Sequence, residues 1–390
     1  MSNSLNSAFI TFSHSIYLVG EKNATFKIEC ATKECPSPHS PEFKIWSFIG
    51  TLKHLKIKNS KRSEDISIYS SRSNRTLRLP VMNVIKPTKF KKYKYTLGVC
   101  IQPMYNYYNY LELIQFFETW IRNGASIFYF YKNSISRDVQ TVLKHYSKIT
   151  KVHIIEWSSL PKFNKYDPNR HAKRFLVNTA MIDCLYKARY VVKYISQTDL
   201  DEVVAINYKK HQTLIKFLDK LSKHSNNSIS TFCFLSRNAK IYKHWTSIRD
   251  MKKIKFNNFK VAKLSVPFKP TVYSKLIFRP DLIFNFYAHG HLKTETGRIT
   301  QKYFHGYNVE LEDGAIHHFR AVFKLPEPTM SKTKYYNFHI KHLNSQLIKL
   351  YPRIKAVTDK FSTCIYMYFL LRKFLDILVW SIDKEELFFK

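Results

Sequence analysis

Two patterns of apolar and polar positions follow each other along the chain. Up to about residue 90, short apolar runs such as TFKIEC, KIWSFIG and TLRLPVMNV lie between turns rich in Ser, Asn and Lys, which predicts short β-strands. From residue 95, short apolar runs alternate with stretches that carry apolar residues at helical spacing. The change of pattern places a boundary near the basic stretch 86–94.

The second part predicts an α/β fold. The predicted strands are 95–103, 125–131, 151–157 and 190–198. The predicted helices between them are 110–124, which ends at Gly124, 136–148, which Ser136 caps, and 170–188. This order predicts a mostly parallel sheet with helices on both faces. A helix at 213–221 and a strand at 276–286 are predicted downstream.

Three regions follow from these patterns. They are an N-terminal β-rich region at 1–94, an α/β domain at 95–325 and a C-terminal helical segment at 326–390. Within the last, residues 364–382 are apolar but interrupted by Arg372, Lys373 and Asp376, so an amphipathic helix is predicted there rather than a membrane span. The N-terminus is polar and lacks a basic flank, so we expect neither a signal peptide nor an anchor.

The charge of the chain narrows its partners. Its 64 Lys and Arg against 28 Asp and Glu give a net charge of +36. This excess predicts attraction to nucleic acid, an anionic membrane surface, an acidic glycan or a nucleotide-bearing substrate. The chain has no RNP aromatic pair, zinc finger or basic zipper, which disfavours nucleic acid. A solvated basic surface is the simpler explanation of each single cluster.

The acidic tetrapeptide Asp199-Leu200-Asp201-Glu202 is the main candidate for chemistry, because it follows directly on a predicted strand. Asp199 and Asp201 point to the same side of an extended backbone and repel each other unless a cation lies near. Hard carboxylate oxygens suit Mg²⁺ or Mn²⁺. The carboxyl end of a strand is also where α/β sheets bind ligands. The alternative is a solvated acidic turn.

Six segments in order resemble glycosyltransferase family 92. They are LGVCIQPMYN, IQFFETWIRNGASIFYFYKNS, the Asp183-Cys184 pair in MIDCLYKARY, the acidic tetrapeptide, KLIFRPDLIFNFYAHG, and His318-Phe319-Arg320. Together they span roughly residues 95–325. The chain departs from the family in having Phe319 for a usual Tyr, no Pro just after the acidic motif, and no visible anchor.

The resemblance implies a GT-A nucleotide-sugar-binding fold and an inverting, metal-dependent hexosyltransferase. The expected reaction moves galactose from UDP-galactose to a glycan hydroxyl. Asp201 and the matched His318 would hold Mn²⁺ or Mg²⁺, with Asp199 helping through water or ribose. The alternative for His318 is an ordinary surface or core histidine. Asp183 either hydrogen-bonds the nucleotide or buttresses its helix.

Inversion requires a general base, and four carboxylates are candidates by position: Glu310, Glu312, Asp313 and Glu202. The sequence does not select among them. Glu118 lies on an apolar helix, where an ion pair with Arg122 one turn on is the simple account.

The six cysteines include no Cys-x-x-Cys pair, and three glycosylation sequons begin at Asn23, Asn74 and Asn226. The sequons favour a secretory setting, in which two or three disulfides could form. Cys100 and Cys184 are either one such pair or buried thiols. With the family resemblance, this predicts a Golgi or other secretory-pathway lumen and association with membranes.

Two functions therefore compete. The first is the metal-dependent glycosyltransferase, which the acidic motif and His318 favour. The second is a catalytically inactive basic protein that binds acidic glycan or nucleic acid, which the charge favours. Contact with a membrane surface through the C-terminal helix is compatible with either function.

Overall fold

We describe the chain from a computed structural model. The structure describes residues 16–18, 25–31, 35, 42–43, 45–53, 65–70, 75–80, 92–162, 164, 166–172, 176–241, 261–270, 273–285, 293–295, 303–319, 348–349 and 351–357. The predicted C-terminal helix at 364–382 lies outside these residues, as do Asn23 and Asn74. No helix within the described ranges has the length and apolar character needed to cross a bilayer.

Strands and helices alternate through the centre of the chain. The strands are β1 (Ile16–Leu18), β2 (Thr25–Cys30), β3 (Phe48–Lys53), β4 (Asp65–Ser70), β5 (Arg75–Pro80), β6 (Tyr95–Met104), β7 (Ala125–Lys132), β8 (Lys151–Glu156), β9 (Val192–Thr198), β10 (Glu202–Ile206), β11 (Ile229–Phe234), β12 (Ser236–Ile241), β13 (Val261–Leu264), β14 (Lys275–Phe278), β15 (Ile283–Asn285), β16 (Lys293–Thr294), β17 (His305–Asn308) and β18 (Gly314–Phe319). The helices are α1 (Tyr110–Arg122), α2 (Arg137–Tyr146), α3 (Val177–Ala188), α4 (Tyr208–His211) and α5 (Leu214–His224).

A seven-stranded sheet forms the centre of the fold, in the order β17-β11-β14-β9-β6-β7-β8. The four strands predicted first, now β6, β7, β8 and β9, are neighbours in it and run parallel. Strand β14 joins β9 in the antiparallel direction. The predicted α/β class with a mostly parallel sheet is therefore confirmed.

Apolar side chains of the central strands point alternately to the two faces of the sheet and contribute to two hydrophobic cores. In β7, Phe128 and Phe130 pack on the face that α1, α2 and α5 cover. Ile127, Tyr129 and Tyr131 point to the other face, which α3 covers. Because side chains of a strand alternate between faces, one apolar run serves both cores. The helices thus lie on both faces, as the order of elements predicts.

A second sheet has the strand order β10-β18-β12-β13. Its strand β10 begins at Glu202, the last residue of the acidic motif. Strands β10 and β18 are antiparallel, with Glu202 opposite His318 and Ile206 opposite Gly314. This pairing brings the matched histidine to the end of β9 even though more than a hundred residues separate them in sequence.

Two disulfides and a hydrogen bond from Asn285 connect different parts of the chain. Cys100 of β6 and Cys184 of α3 form a disulfide, as do Cys30 and Cys35. The side-chain amide of Asn285 donates to the Cys30 carbonyl at 3.0 Å. The predicted strand TFKIEC is β2, whereas the strand predicted at KIWSFIG begins four residues later as β3.

Three local predictions are wrong. The helix predicted from residue 170 begins only at Val177, because residues Pro168–His171 form a short 3₁₀ turn and Ala172 is extended. Pro280 interrupts the strand predicted at 276–286 with a 3₁₀ turn between β14 and β15. Glu118 pairs with Arg353 at 2.8 Å instead of with its helical neighbour Arg122.

Candidate active site

The acidic motif lies at the carboxyl edge of the central sheet. Parallel strands end at one edge, so the segment after β9 shares this edge with the segments after β6, β7 and β8. Two hydrogen bonds between Asp199 and Glu202 close the turn that these residues span. The Glu202 amide donates to the Asp199 carbonyl at 3.2 Å, and the Asp199 amide donates to Glu202 Oε2 at 3.0 Å. The carboxylates of the turn are therefore held in fixed positions.

Asp201 and His318 form a carboxylate–imidazole pair. The distance from His318 Nε2 to Asp201 Oδ2 is 2.7 Å, and the His318 side chain is 11% exposed. The amide of Phe319 donates to the Asp201 carbonyl at 2.8 Å, so the backbone of β18 also holds the motif. Two residues assigned to one site from the sequence thus lie in direct contact.

Glu202 lies beneath this pair, and its side chain is 1% exposed. Its Oε2 accepts the Thr198 hydroxyl at 3.0 Å and forms an ion pair with Lys275 Nζ at 3.1 Å. Its Oε1 is 3.6 Å from His318 Nδ1. Burial raises the pKa of Glu202, while Lys275 opposes that rise. These contacts make Glu202 a support for the turn.

Asp199 contacts Lys275, whereas Asp201 contacts His318. Asp199 Oδ2 lies 2.8 Å from Lys275 Nζ, and the Lys275 side chain is almost buried. Lys275 is the first residue of β14, which pairs with β9. The sequence analysis did not single out Lys275, since one lysine among so many carries no signal by itself.

Glu112 is a further carboxylate near the motif, and it is not among the residues predicted from the sequence. Burial, then the nearby charge of Asp201, raises the pKa of Glu112 to about 7. The Tyr107 oxygen lies 2.8 Å from Glu112 Oε2 and 2.9 Å from the Asn109 carbonyl. A hydroxyl has one proton for these two acceptors, so a protonated Glu112 satisfies the arrangement. The Asn-x-x-Glu spacing at the start of α1 is a capping pattern, and that is the only signal the sequence offers.

Asp183 has protein partners on both oxygens. Tyr131 donates its hydroxyl to Oδ2 at 2.6 Å, and Lys187 Nζ lies 2.5 Å from Oδ1. Its neighbour Cys184 is in the disulfide to β6. Of the two roles considered for Asp183, this geometry supports the buttress of α3.

The remaining base candidates lie at the other end of the β10–β18 ladder. Asp313 precedes Gly314, four residue steps or about 13 Å of strand from the His318 end. It is paired with His211 at 2.6 Å and with Lys210 at 2.7 Å. Glu312 also contacts Lys210, and Glu310 accepts the Asp313 amide in the turn. None of these three carboxylates is brought to Asp201.

The donor set at the motif fits a divalent ion in one specific way. The described part of the chain contains no group of three or more His, Cys, Asp or Glu side chains arranged to hold a metal. Asp201 Oδ2 and His318 Nε2 supply one oxygen and one nitrogen. Mg²⁺ and Mn²⁺ are commonly bound through one or two protein ligands plus waters and substrate phosphates. A two-ligand site completed by a diphosphate therefore fits these residues.

The Asp201–His318 pair lies at the carboxyl edge of a parallel sheet, which is where α/β sheets bind ligands. The comparison of sequence families makes the class specific. Residues 95–352 match Glycosyltransferase family 92, which is more than half of the chain. The chain belongs to this family and is a glycosyltransferase by class, as its resemblance in sequence predicts.

Two solved structures match the chain at low similarity. S. aureus TarS is 12% identical over 48% of this chain and 29% of that chain, with a TM-score of 0.26. HddC from Yersinia pseudotuberculosis is 9% identical over 57% of this chain and 93% of that chain, with a TM-score of 0.27. The chain thus spans less than a third of TarS. A search of curated proteins found no match.

Proposed function

We propose that the protein is a metal-dependent hexosyltransferase that moves galactose from UDP-galactose to a glycan hydroxyl with inversion at the anomeric carbon. The observation that carries this proposal is the Asp201–His318 pair at the carboxyl edge of the sheet in a family 92 domain. The donor sugar and the inversion come from the family resemblance.

The roles of the residues follow from their contacts. Asp201 and His318 would hold Mn²⁺ or Mg²⁺, and the mixed oxygen and nitrogen set favours Mn²⁺ somewhat. When bound, such an ion stabilises the charge that develops on the departing diphosphate. Glu202 and the Phe319 amide fix the two ligands relative to each other.

The protein contacts of the four candidate carboxylates disfavour each of them as the general base. A base must be within hydrogen-bond reach of the acceptor hydroxyl and able to take its proton. Glu202 is 1% exposed and engaged with Thr198 and Lys275. Glu310, Glu312 and Asp313 lie at the far end of the β10–β18 ladder. We therefore leave the base of the inverting reaction unassigned.

The binding test uses calorimetry with UDP, with and without Mn²⁺, on the unsubstituted protein and on Asp201→Asn. We expect UDP to bind at least about tenfold more tightly with Mn²⁺, and Asp201→Asn to lose that difference. Lys223→Met, which changes an exposed residue of α5, is the control. Retention of the Mn²⁺ effect in Asp201→Asn would show that the acid is structural and would refute the assigned site.

The donor and the stereochemistry need a second assay. A panel of UDP-galactose, UDP-glucose, UDP-N-acetylglucosamine and GDP-mannose, followed by NMR of the product, tests both. Turnover with UDP-galactose and an inverted anomeric signal are expected. A preference for another donor, or retention, would contradict the finer part of the proposal while leaving the glycosyltransferase class in place.

Two observations support a secretory-pathway lumen as the site of action. The disulfides Cys30–Cys35 and Cys100–Cys184 are of the kind that persists in oxidising compartments. Asn226 of the third sequon is exposed in the turn after α5. A Golgi location and association with the membrane remain part of the proposal through family resemblance.

The charge of +36 favours a second candidate, an inactive protein that binds acidic glycan or nucleic acid. The same charge would also serve an enzyme with an acidic acceptor. Binding of heparin and a neutral oligosaccharide at low and physiological salt separates the cases. A pure polyanion binder should lose heparin steeply with salt and ignore Mn²⁺, whereas the enzyme should bind UDP in a Mn²⁺-dependent way.

A further inference from the structure

Lys275 places a buried ammonium group inside the acidic motif. Leu276 of β14 is opposite Gln197 of β9, so the register sets Lys275 beside the last residue of β9. Its Nζ lies 2.8 Å from Asp199 Oδ2 and 3.1 Å from Glu202 Oε2, and its side chain is 11% exposed. A lysine is seldom buried unless it is paired, and here it has two carboxylates.

The carboxylates of the motif are therefore divided between two partners. Asp199 and Glu202 share Lys275, whereas Asp201 is in contact with His318. Burial alone would lower the pKa of Lys275, but the attraction of Glu202 and Asp199 outweighs it and raises the pKa above its ordinary value. Lys275 thus carries a fixed positive charge at neutral pH.

We propose that Lys275 is a positioning residue that keeps Asp199 away from the ion held by Asp201 and His318. The inference rests on the proposed function, since it assumes that an ion binds there. By holding Asp199, Lys275 limits the protein ligands to two and leaves coordination positions for the diphosphate. It also reduces the negative charge that the diphosphate meets.

A positioning role and a merely structural role predict different results. Without Lys275, the ion would meet three carboxylates with no compensating ammonium, and Asp199 could turn toward it. The ion should then bind more tightly, while the diphosphate should bind less well, because of added repulsion and fewer open positions. Loss of a structural ion pair alone would weaken both interactions or neither.

The experiment measures two affinities in the full chain. Mn²⁺ binding without nucleotide is followed by electron paramagnetic resonance, and UDP binding at saturating Mn²⁺ is followed by calorimetry. In Lys275→Met we expect Mn²⁺ binding to tighten roughly tenfold and UDP binding to weaken roughly tenfold, as removal of one nearby unit charge implies. Lys275→Arg should stay closer to the unsubstituted protein. The matched control is Lys223→Met on exposed α5.

Asp199→Asn supplies a second test that leaves Lys275 paired with Glu202. If Asp199 is not a ligand, this variant should keep Mn²⁺ binding within about tenfold, whereas Asp201→Asn should lose it. Circular dichroism checks that each variant is folded. Should Lys275→Met fail to fold, the contrast between Asp199→Asn and Asp201→Asn decides the question.

The outcomes separate this inference from the proposed function. Parallel changes of both affinities in folded Lys275→Met, no change in either, or loss of Mn²⁺ binding in Asp199→Asn would overturn the inference alone. Failure of the unsubstituted protein to bind UDP more tightly with Mn²⁺ than without it would overturn the metal step of the proposed function and the inference together. Opposite changes in Lys275→Met with retained binding in Asp199→Asn would support it.

Discussion

The buried carboxylate of Glu118 ties a distant helical segment to the α/β domain and offers a sharp test of the packing. Glu118 is 2% exposed, and its Oε1 accepts the Tyr146 hydroxyl at 2.8 Å. Its Oε2 lies 2.8 Å from Arg353 Nε, in the helical residues 351–357. Ile354 and Val357 of the same segment lie in the core that α1 lines. Replacing Arg353 therefore leaves a buried charge with one partner fewer.

The expected loss in the free energy of unfolding follows from the burial of Glu118 and Arg353. Removing one partner of a fully buried ion pair costs about 3–5 kcal/mol. Arg353 is 58% exposed, so water partly takes its place. We expect Arg353→Met to lower the free energy of unfolding by about 1–2 kcal/mol. Glu118→Gln should cost about 0.5–1 kcal/mol, because the amide oxygen can still accept from Tyr146.

Urea denaturation followed by far-UV circular dichroism measures the two single variants and the double variant. In the Glu118→Gln background, Arg353→Met should cost less than about 0.5 kcal/mol, which gives a coupling energy of about 1 kcal/mol. Lys349→Met, at an exposed helical position four residues before Arg353, is the control. Strict additivity of the two single changes would refute the ion pair as the cause.

Two further predictions concern Glu112 and the Cys100–Cys184 disulfide. Because the pKa of Glu112 rises from 4.5 to about 7, the folded state keeps its proton while the unfolded state loses it. As the pH rises from about 4.5 to 7, the free energy of unfolding of the metal-free protein should therefore fall by up to about 3 kcal/mol relative to that of Glu112→Gln. Urea titrations of the two proteins at each pH measure this difference. A difference that does not change with pH would contradict the prediction. Removal of the Cys100–Cys184 disulfide by a double Ser substitution should cost about 2–4 kcal/mol, since it closes a long loop, and an unchanged urea midpoint would argue that the bond does not form.

The elements that the sequence predicted well are those whose signals are local. The central strands are short apolar runs, and Ser136 caps α2 by accepting from the Val139 amide at 3.3 Å, as predicted. The start of α3 was wrong because residues 170–172 carry no breaker that separates a helix from a 3₁₀ turn, while Leu176 adopts a left-handed backbone. Pro280 does carry such a signal within its otherwise apolar run, since proline breaks a central strand.

The site divides in the same way. The acidic tetrapeptide is visible because its residues are adjacent, and His318 was found only through family resemblance. Lys275 and Glu112 have no such signal, since their contacts depend on the register of β14 against β9 and on the entry of α1. The partner of Glu118 was misjudged for the same reason, because an i, i+4 neighbour is the only partner that a helix pattern can offer.

The charge of the chain and the arrangement of its acids point to coupled binding of ion and donor. A net charge of +36 disfavours a free divalent cation and favours a diphosphate. Lys275 adds to this locally, since it compensates Asp199 and Glu202 and leaves Asp201 with His318 as the proposed ligands. An ion with only two protein ligands gains most when a diphosphate completes its shell. By linkage, each partner must then strengthen the binding of the other to the same extent. Under the proposed function, the basic excess and the sparse acidic motif would therefore act together, and the ion would be recruited mainly together with the nucleotide.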